Sequence, residues 1–230
     1  MTTTKTAETT ETAEETFSAA IRRRSWGSHQ SAEGEGFLDV LMRGGLTRDG
    51  YTAMVAQHYW AYEVLEQASA VMRGNAVAAP FCPEALDRMQ ALDADMRFLA
   101  GDGWQDKYPA NPATVRYIER LRETCFDWPG GYVAHHYTRY LGDMSGGQHI
   151  AKLMRRHFGL DGHDGTEFYN FRAVGDLDAF KQAYRASLDN APWDADERER
   201  IIAEVLVAYE INSAVLRDLG AEMDRWRTDG

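Results

Sequence analysis

The sequence predicts an all-α fold that forms a single domain. Apolar residues recur three and four positions apart in one segment after another, which is the spacing of a helix face buried in a core. We find no segment with the alternating apolar and polar residues that mark a half-buried strand. The chain has 230 residues, 44% of them hydrophobic, which is enough for one sizeable core.

The ends of the chain differ in composition from its middle. Residues 1–15 are rich in threonine and poor in apolar groups, so we expect a disordered tail there. The domain is predicted over residues 16–225, followed by a polar end over residues 226–230.

Helix starts and stops divide the domain into seven or eight helices joined by short connections. Ser18 is a possible cap of the first helix, Pro83 suits the first position of the fourth, and Pro129 is expected to break the chain before the sixth. The predicted segments are 19–34, 37–42, 47–74, 83–100, 113–126, 131–158, 176–190 and 194–223. The core-facing positions predicted for the long third helix are Tyr51, Met54, Val55, His58, Tyr59, Tyr62, Leu65, Ala68 and Met72.

Composition excludes some classes of function. A net charge of −11 argues against non-specific binding of nucleic acid, which needs a basic surface. The two cysteines, Cys82 and Cys125, have no metal-binding spacing and suit a reducing cytosol. No apolar run approaches the roughly 20 residues that span a bilayer, and the N-terminus lacks the apolar region of a signal peptide. We therefore expect a soluble cytoplasmic protein without a membrane anchor.

Three glycines interrupt the sixth predicted helix, at Gly142, Gly146 and Gly147. Each costs about 1 kcal/mol relative to alanine in a helix interior, so the helix must gain something in return. Gly142 and Gly146 are four residues apart and share a face. Two interpretations remain open: another helix packs closely against this face, or a flat ligand lies against the bare backbone.

Asp143 lies beside this face. Arg139 stands one turn earlier, and Tyr62 is available from another helix. These groups could hold an ordered network of water molecules. The alternative is a buried salt bridge between Asp143 and Arg139.

His29 is the histidine with the most suggestive neighbour, because Glu33 follows it on the same helix face. Such a carboxylate can accept a hydrogen bond from one ring nitrogen and leave the other nitrogen for iron. The alternative is an ordinary surface pair. Zinc-binding and di-iron spacings are both missing from the sequence.

Three cations stand out in this acidic chain. Arg22 lies two turns before His29, and Lys181 and Arg185 are four residues apart on a later helix. They could pair with acidic residues of the fold, or they could hold carboxylates of a ligand.

The run from Tyr137 to Gln148, YTRYLGDMSGGQ, resembles the signature of the haem (heme) oxygenases. The resemblance extends in order over residues 17–223. It includes a proximal-histidine region at 28–33, a second long helix at 46–62, a propionate-binding helix at 180–185 and a final core helix at 209–212.

The resemblance implies that haem lies between a proximal helix and a kinked distal helix. His29 matches the proximal iron ligand, Glu33 its carboxylate partner, and Asp143 the aspartate that holds the catalytic water. Gly142, Gly146 and Gly147 match the glycines whose backbone lies over the haem. Positions near the hydrogen-bond network are Arg139, Tyr62, Tyr140 and Asn212, and positions facing the propionates are Arg22, Tyr137, Lys181 and Arg185.

This family uses haem b as both cofactor and substrate. The implied reaction cleaves a meso carbon with O2 and electrons from a ferredoxin or an NAD(P)H-dependent reductase, and it yields biliverdin, carbon monoxide and Fe2+. Lys181 and Arg185 follow the pattern of the α-selective members, whereas Arg22 replaces a common lysine and Tyr209 a common phenylalanine. Two alternatives stay open: a non-catalytic haem-binding or haem-transfer protein on this scaffold, and a non-haem enzyme of a related helical fold.

Overall fold

The structure is a computed structural model that describes residues 15–32 and 36–228, and of residues 27–32 only the backbone. Over these residues the fold is all-α, as predicted, and its only strand-like pairing is an isolated bridge between Leu46 and Arg227. Ten α-helices follow one another in the described part of the chain. They are α1 (Phe17–Ala32), α2 (Phe37–Met42), α3 (Arg48–Met72), α4 (Met89–Ala100), α5 (Trp104–Lys107), α6 (Pro112–Thr124), α7 (Pro129–His136), α8 (Gly142–Phe158), α9 (Leu177–Asn190) and α10 (Ala195–Ala221). None of these described helices is both long enough and apolar enough to cross a bilayer.

The core forms where α10 packs on α1, α6 and α7, and where α3 packs on α4 and α6. The predicted buried face of α3 is confirmed except at His58 and Tyr59, which are only partly buried. The two long helices α3 and α10 therefore place polar side chains next to the segment that contains the glycines.

That segment is one continuous helical run. A π-helical turn, Tyr137–Leu141, joins α7 directly to α8. The helix irregularity therefore lies one turn before Gly142, and not at the glycines themselves. Such π-helical turns inside α-helices are frequent at functional sites.

Two predicted helix boundaries are wrong. Ser18 lies inside α1, and its N–H and hydroxyl both donate to the Asp189 carboxylate at the end of α9, at 2.7 and 3.0 Å. Pro83 precedes a short 3-10 turn, Glu84–Leu86, and α4 begins only at Met89. The interruption predicted at Pro129 is confirmed, since α6 ends at Thr124 and Pro129 occupies the first position of α7.

The late start of α4 has a tertiary cause. The Glu66 carboxylate of α3 accepts hydrogen bonds from the backbone N–H groups of Arg88 and Met89. These are among the first N–H groups of a helix, which have no partner within the helix. A side chain from another helix thus caps α4. The segment from 103 to 112, expected as a loop, also contains the short helix α5.

Glu204 is a buried carboxylate whose hydrogen bonds tie α10 to α6 and α7. It accepts hydrogen bonds from His135 Nε2 at 2.8 Å and from Arg120 Nε at 2.9 Å. Burial by itself would raise the pKa of Glu204, but the hydrogen bonds from His135 and Arg120 outweigh it and lower the pKa to about 2. His135 and the neighbouring His136 turn to different partners, since His136 Nδ1 lies 3.0 Å from the Tyr184 hydroxyl.

We expect Glu204→Gln to lower the free energy of unfolding by about 3 kcal/mol at pH 7, because it removes a buried carboxylate that accepts hydrogen bonds from the buried His135 and the partly exposed Arg120. A lowered pKa stabilises the fold above the unfolded value of 4.5, and this contribution is lost as the pH falls toward about 2. Urea unfolding between pH 7 and pH 3.5 should therefore show the difference between wild type and variant shrinking. The control is Glu210→Gln, which removes an exposed ion pair with Arg217 and should change stability by roughly 0.5 kcal/mol or less. A difference that grows toward low pH would contradict the prediction.

Candidate functional site

Gly142 and Gly146 form an open, bare face on α8. Both are exposed, and a Cβ atom added at either position would meet no atom within 4 Å. Close packing of a neighbouring helix, one of the two interpretations of these glycines, is therefore wrong for this pair. A face free of side chains, with space in front of it, suits a flat ligand lying against the backbone.

Gly147 does not belong to that face, in contrast to the expectation that it lies over the ligand together with Gly142 and Gly146. It is buried, and a Cβ at Gly147 would lie 2.5 Å from Cδ1 of Tyr169. Tyr169 belongs to a 3-10 turn, Glu167–Tyr169, that packs on α8. Gly147 is small because this turn approaches so closely.

Asp143 points to the interior side of α8. Its Oδ2 accepts a short hydrogen bond from the hydroxyl of Tyr62 on α3. Burial raises the pKa of Asp143, while the nearby Arg139 cation and the Tyr62 hydrogen bond oppose the rise. A carboxylate in this setting is a better base than an exposed aspartate.

Arg139 does not form the direct salt bridge with Asp143 that the sequence left open. One terminal nitrogen, Nη1, donates to Asn212 Oδ1 on α10 at 2.7 Å. The other, Nη2, lies 2.8 Å from Nδ1 of His58 on α3. The guanidinium carbon also sits 5.1 Å from the centre of the Tyr62 ring. Arg139 therefore acts on Asp143 through space.

These polar groups line a cavity of about 150 Å³ between α3, α8 and α10. Three buried atoms of its lining residues have no hydrogen-bond partner in the described part of the protein: Arg139 Nε and the hydroxyls of Tyr117 and Tyr169. Buried polar groups left in this state are commonly satisfied by water, and one water needs only roughly 10–15 Å³. The cavity thus fits the interpretation of an ordered water network beside Asp143.

The structure differs from the expected network at two residues, Tyr140 and His58. Tyr140 was expected near the network, but its hydroxyl donates to Glu66 at 3.2 Å and it does not line the cavity. This places Tyr140 in the packing behind Tyr62, where the two rings meet edge to face with their centres 5.2 Å apart. His58, by contrast, received no functional role from the sequence. The available signal was its position four residues before Tyr62, on the same face of α3.

The predicted cationic group is assembled in part. Arg22 of α1 and Arg185 of α9 line one open cavity of about 460 Å³. Burial raises the pKa of Tyr137, while the Arg185 and Arg22 cations oppose the rise, so all three groups lie close together. Lys181 binds Asp178 on its own helix at 2.8 Å. For Lys181 the structure thus shows pairing with an acidic residue of the fold, one of the two alternatives. The pair is local, and a carboxylate of a ligand could take the place of Asp178.

Tyr209 reaches the same side of the molecule from α10. Burial and Tyr137 raise the pKa of Tyr209 to about 12, and a hydrogen bond with Ser25 opposes the rise. The additional hydroxyl noted in the sequence is therefore directed toward α1.

The two residues expected at the iron, His29 and Glu33, lie where the structure describes no side chains. His29 falls within α1, in the stretch of which only the backbone is described, and Glu33 lies outside the described residues. Their roles stay predictions. Within the described residues, no group of three or more His, Cys, Asp and Glu side chains could hold a metal ion.

Comparison with known proteins identifies the family. A family model described as heme oxygenase matches residues 15–218. The chain is 32% identical over 201 residues to the heme oxygenase of Rhodella violacea, covering 87% of this chain and 86% of the relative. It is 34% identical over 205 residues to heme oxygenase 1 of Homo sapiens, covering 88% of this chain and 71% of the human protein.

The similarity holds in three dimensions. The crystal structure of heme oxygenase-1 from Synechocystis in complex with heme superposes with a TM-score of 0.85 at 31% identity, over 91% of this chain and 95% of that one. The fold, the matched family model and the relatives of over 30% identity along most of the chain all indicate the same family. The chain belongs to the heme oxygenase family and is an enzyme that degrades haem.

Proposed function

We propose that this enzyme opens haem b at the α-meso carbon with O2 and electrons from a ferredoxin or an NAD(P)H-dependent reductase in the cytoplasm. The products are biliverdin, carbon monoxide and Fe2+. The observation that carries the proposal is the open face of Gly142 and Gly146 directly beside the polar cavity at Asp143. A haem carrier is not favoured, because the similar proteins are named as oxygenases.

The residues present fit a bound haem. The backbone at Gly142 and Gly146 can contact a flat ring, since no side chain stands between it and open space. When bound, haem supplies the iron that activates O2 and the meso carbon that is oxidised. His29 would hold the iron through one ring nitrogen, with Glu33 as the acceptor for the other ring nitrogen.

The cations would set the orientation of the ring. Arg22, Arg185 and Tyr137 lie together, and a guanidinium can bind a propionate carboxylate through two parallel hydrogen bonds. Lys181 is proposed to leave Asp178 for a propionate, because its pairing with that exposed carboxylate is worth little. By fixing the orientation of the ring, these cations would determine which meso carbon reacts, and we propose that it is the α-carbon.

Asp143 and its neighbours would control the proton. Tyr62 occupies Oδ2 of Asp143, which leaves Oδ1 for a water molecule in the cavity. Arg139, held by Asn212, keeps a buried N–H at Nε that has no partner among the described residues and can donate it to the same water chain. Water held by these groups is a weaker acid than a carboxylic acid placed directly at the reacting atoms, and it would deliver the proton from a greater distance.

The test is a product analysis. The purified protein is loaded with haem and supplied with ferredoxin, ferredoxin reductase and NADPH in air, and the bilins are separated by chromatography. We expect biliverdin of the α isomer with an equimolar amount of carbon monoxide. A haem spectrum that persists without bilin would overturn the proposed activity, and a β or δ isomer would overturn the proposed selectivity.

A further prediction concerns the axial ligand. His29→Ala should remove a nitrogen ligand from the iron, so the absorption spectrum of the ferrous carbon monoxide complex should shift, and added imidazole should restore it. The matched control is His163→Ala, at an exposed position in the loop after α8, which should leave the spectrum unchanged. An unaltered spectrum in His29→Ala would exclude this residue as the ligand.

A further inference from the structure

His58 lines the polar cavity but has no role in the proposed mechanism. It lies on α3 one turn before Tyr62, and its ring stacks on Phe168 with ring centres 5.3 Å apart and planes at 29°. Phe168 also meets Tyr62 edge to face at 5.1 Å. One aromatic side chain thus contacts both His58 and Tyr62, from a turn that packs on α8.

The partner of His58 fixes its protonation state. A guanidinium can only donate hydrogen bonds, so Nδ1 of His58 must accept the bond from Arg139 Nη2 at 2.8 Å. The ring proton then resides on Nε2 and the ring is neutral. Burial lowers the pKa of His58 well below its usual range, and the Arg139 cation lowers it further. A protonated ring would place two donors and two positive charges against each other.

The position of Arg139 depends on this acceptor. Asn212 accepts from Nη1 and His58 accepts from Nη2, while Nε is buried without a partner among the described residues. Without His58 the freed Nη2 would leave a buried N–H unpaired, which is unfavourable, and Asp143 is an acidic residue in the lining of the same cavity that could accept it. A direct ion pair would occupy the Asp143 carboxylate and make it a weaker base.

We propose that His58 is a positioning residue for the distal proton pathway. As a neutral acceptor it holds Arg139 toward Asn212, and so keeps Asp143 free of a direct ion pair and available to water. The inference rests on the proposed role of Asp143. In this proposal His58 decides whether Arg139 binds Asn212 or forms a direct ion pair with Asp143.

The first test uses the protein without haem. Nitrogen-15 NMR of His58 should show a proton on Nε2, an accepting Nδ1 and no titration between pH 5 and pH 9. A ring that titrates near its ordinary pKa, or that carries its proton on Nδ1, would overturn the inference. This measurement does not depend on any variant folding or on any activity.

The second test compares three variants. Asn Oδ1 can replace Nδ1 as the acceptor, whereas His58→Leu has no acceptor and His58→Gln places its oxygen at the wrong distance along the side chain. Carbon-13 NMR of Asp143 in the apoprotein should report a lowered pKa in His58→Leu and His58→Gln, and a value close to wild type in His58→Asn. Equal pKa values of Asp143 in all four proteins would overturn the inference.

The haem complexes provide the link to the reaction. We expect His58→Leu to bind haem with wild-type affinity but to form roughly tenfold less biliverdin per O2 consumed, as for the loss of a positioned proton pathway. His58→Asn should restore most of the yield. If wild type forms no biliverdin, the proposed function fails while the NMR results still decide the role of His58. If wild type is active and His58→Leu matches it, the inference about His58 fails alone.

Discussion

Replacement of Gly146 by leucine is expected to weaken haem binding roughly 100-fold, because the new side chain fills the space where the ring would lie. The apoprotein should remain folded and be slightly more stable, by up to about 1 kcal/mol, since a Cβ at Gly146 meets no atom within 4 Å and leucine favours the helix. Haem titration and thermal unfolding of the apoprotein measure the two effects separately.

Gly147→Ala is the matched control, and it should show the opposite pattern. Its Cβ would lie 2.5 Å from Cδ1 of Tyr169, so the apoprotein should lose about 1–3 kcal/mol of stability through overpacking. Its haem affinity should change far less than that of Gly146→Leu. Wild-type haem affinity in Gly146→Leu would show that the bare face is not the haem surface. Equal losses of apoprotein stability in the two variants would show that both glycines serve packing.

Asp143→Ala is expected to lower the yield of biliverdin by roughly 10²–10⁴-fold while haem affinity changes little. The variant keeps the open glycine face and removes the carboxylate to which Tyr62 donates. Turnover should be diverted toward oxidation of added phenols, because the proton no longer arrives through water held at Asp143. Bilin chromatography, O2 consumption and a phenol oxidation assay together measure this change of outcome.

The control for this prediction is Asp161→Ala, which removes an exposed carboxylate in the turn after α8. It should leave the bilin yield at the wild-type level. An unchanged yield in Asp143→Ala, or a parallel loss in both variants, would contradict the role assigned to Asp143.

Local sequence signals predicted most of the helices because the interactions behind them are local. Asp176 and Asp194 cap α9 and α10 through hydrogen bonds to the first backbone N–H groups, and Gly159 ends α8 in a left-handed conformation. The errors arose where a distant residue decided the outcome. Glu66 of α3 caps α4 at Arg88 and Met89, and no pattern around Pro83 could have indicated this.

The same distinction applies to the site. Helical spacing by itself placed Gly142 and Gly146 on one face, and it placed Asp143 one turn after Arg139, because positions four apart in a helix are neighbours. It could not tell Gly147 from the other two glycines. That difference depends on Tyr169, which arrives from a separate turn.

The residue types, the helical class and the shared face of Gly142 and Gly146 were determined by the sequence alone, since a helix repeats its geometry every few residues. Only the tertiary structure decided the partners of Arg139. Asn212 on α10 and His58 on α3 are 73 and 81 residues away along the chain. Contacts at such distances depend on how three helices pack, and a hydrogen bond forms only within a few tenths of an ångström of its preferred length.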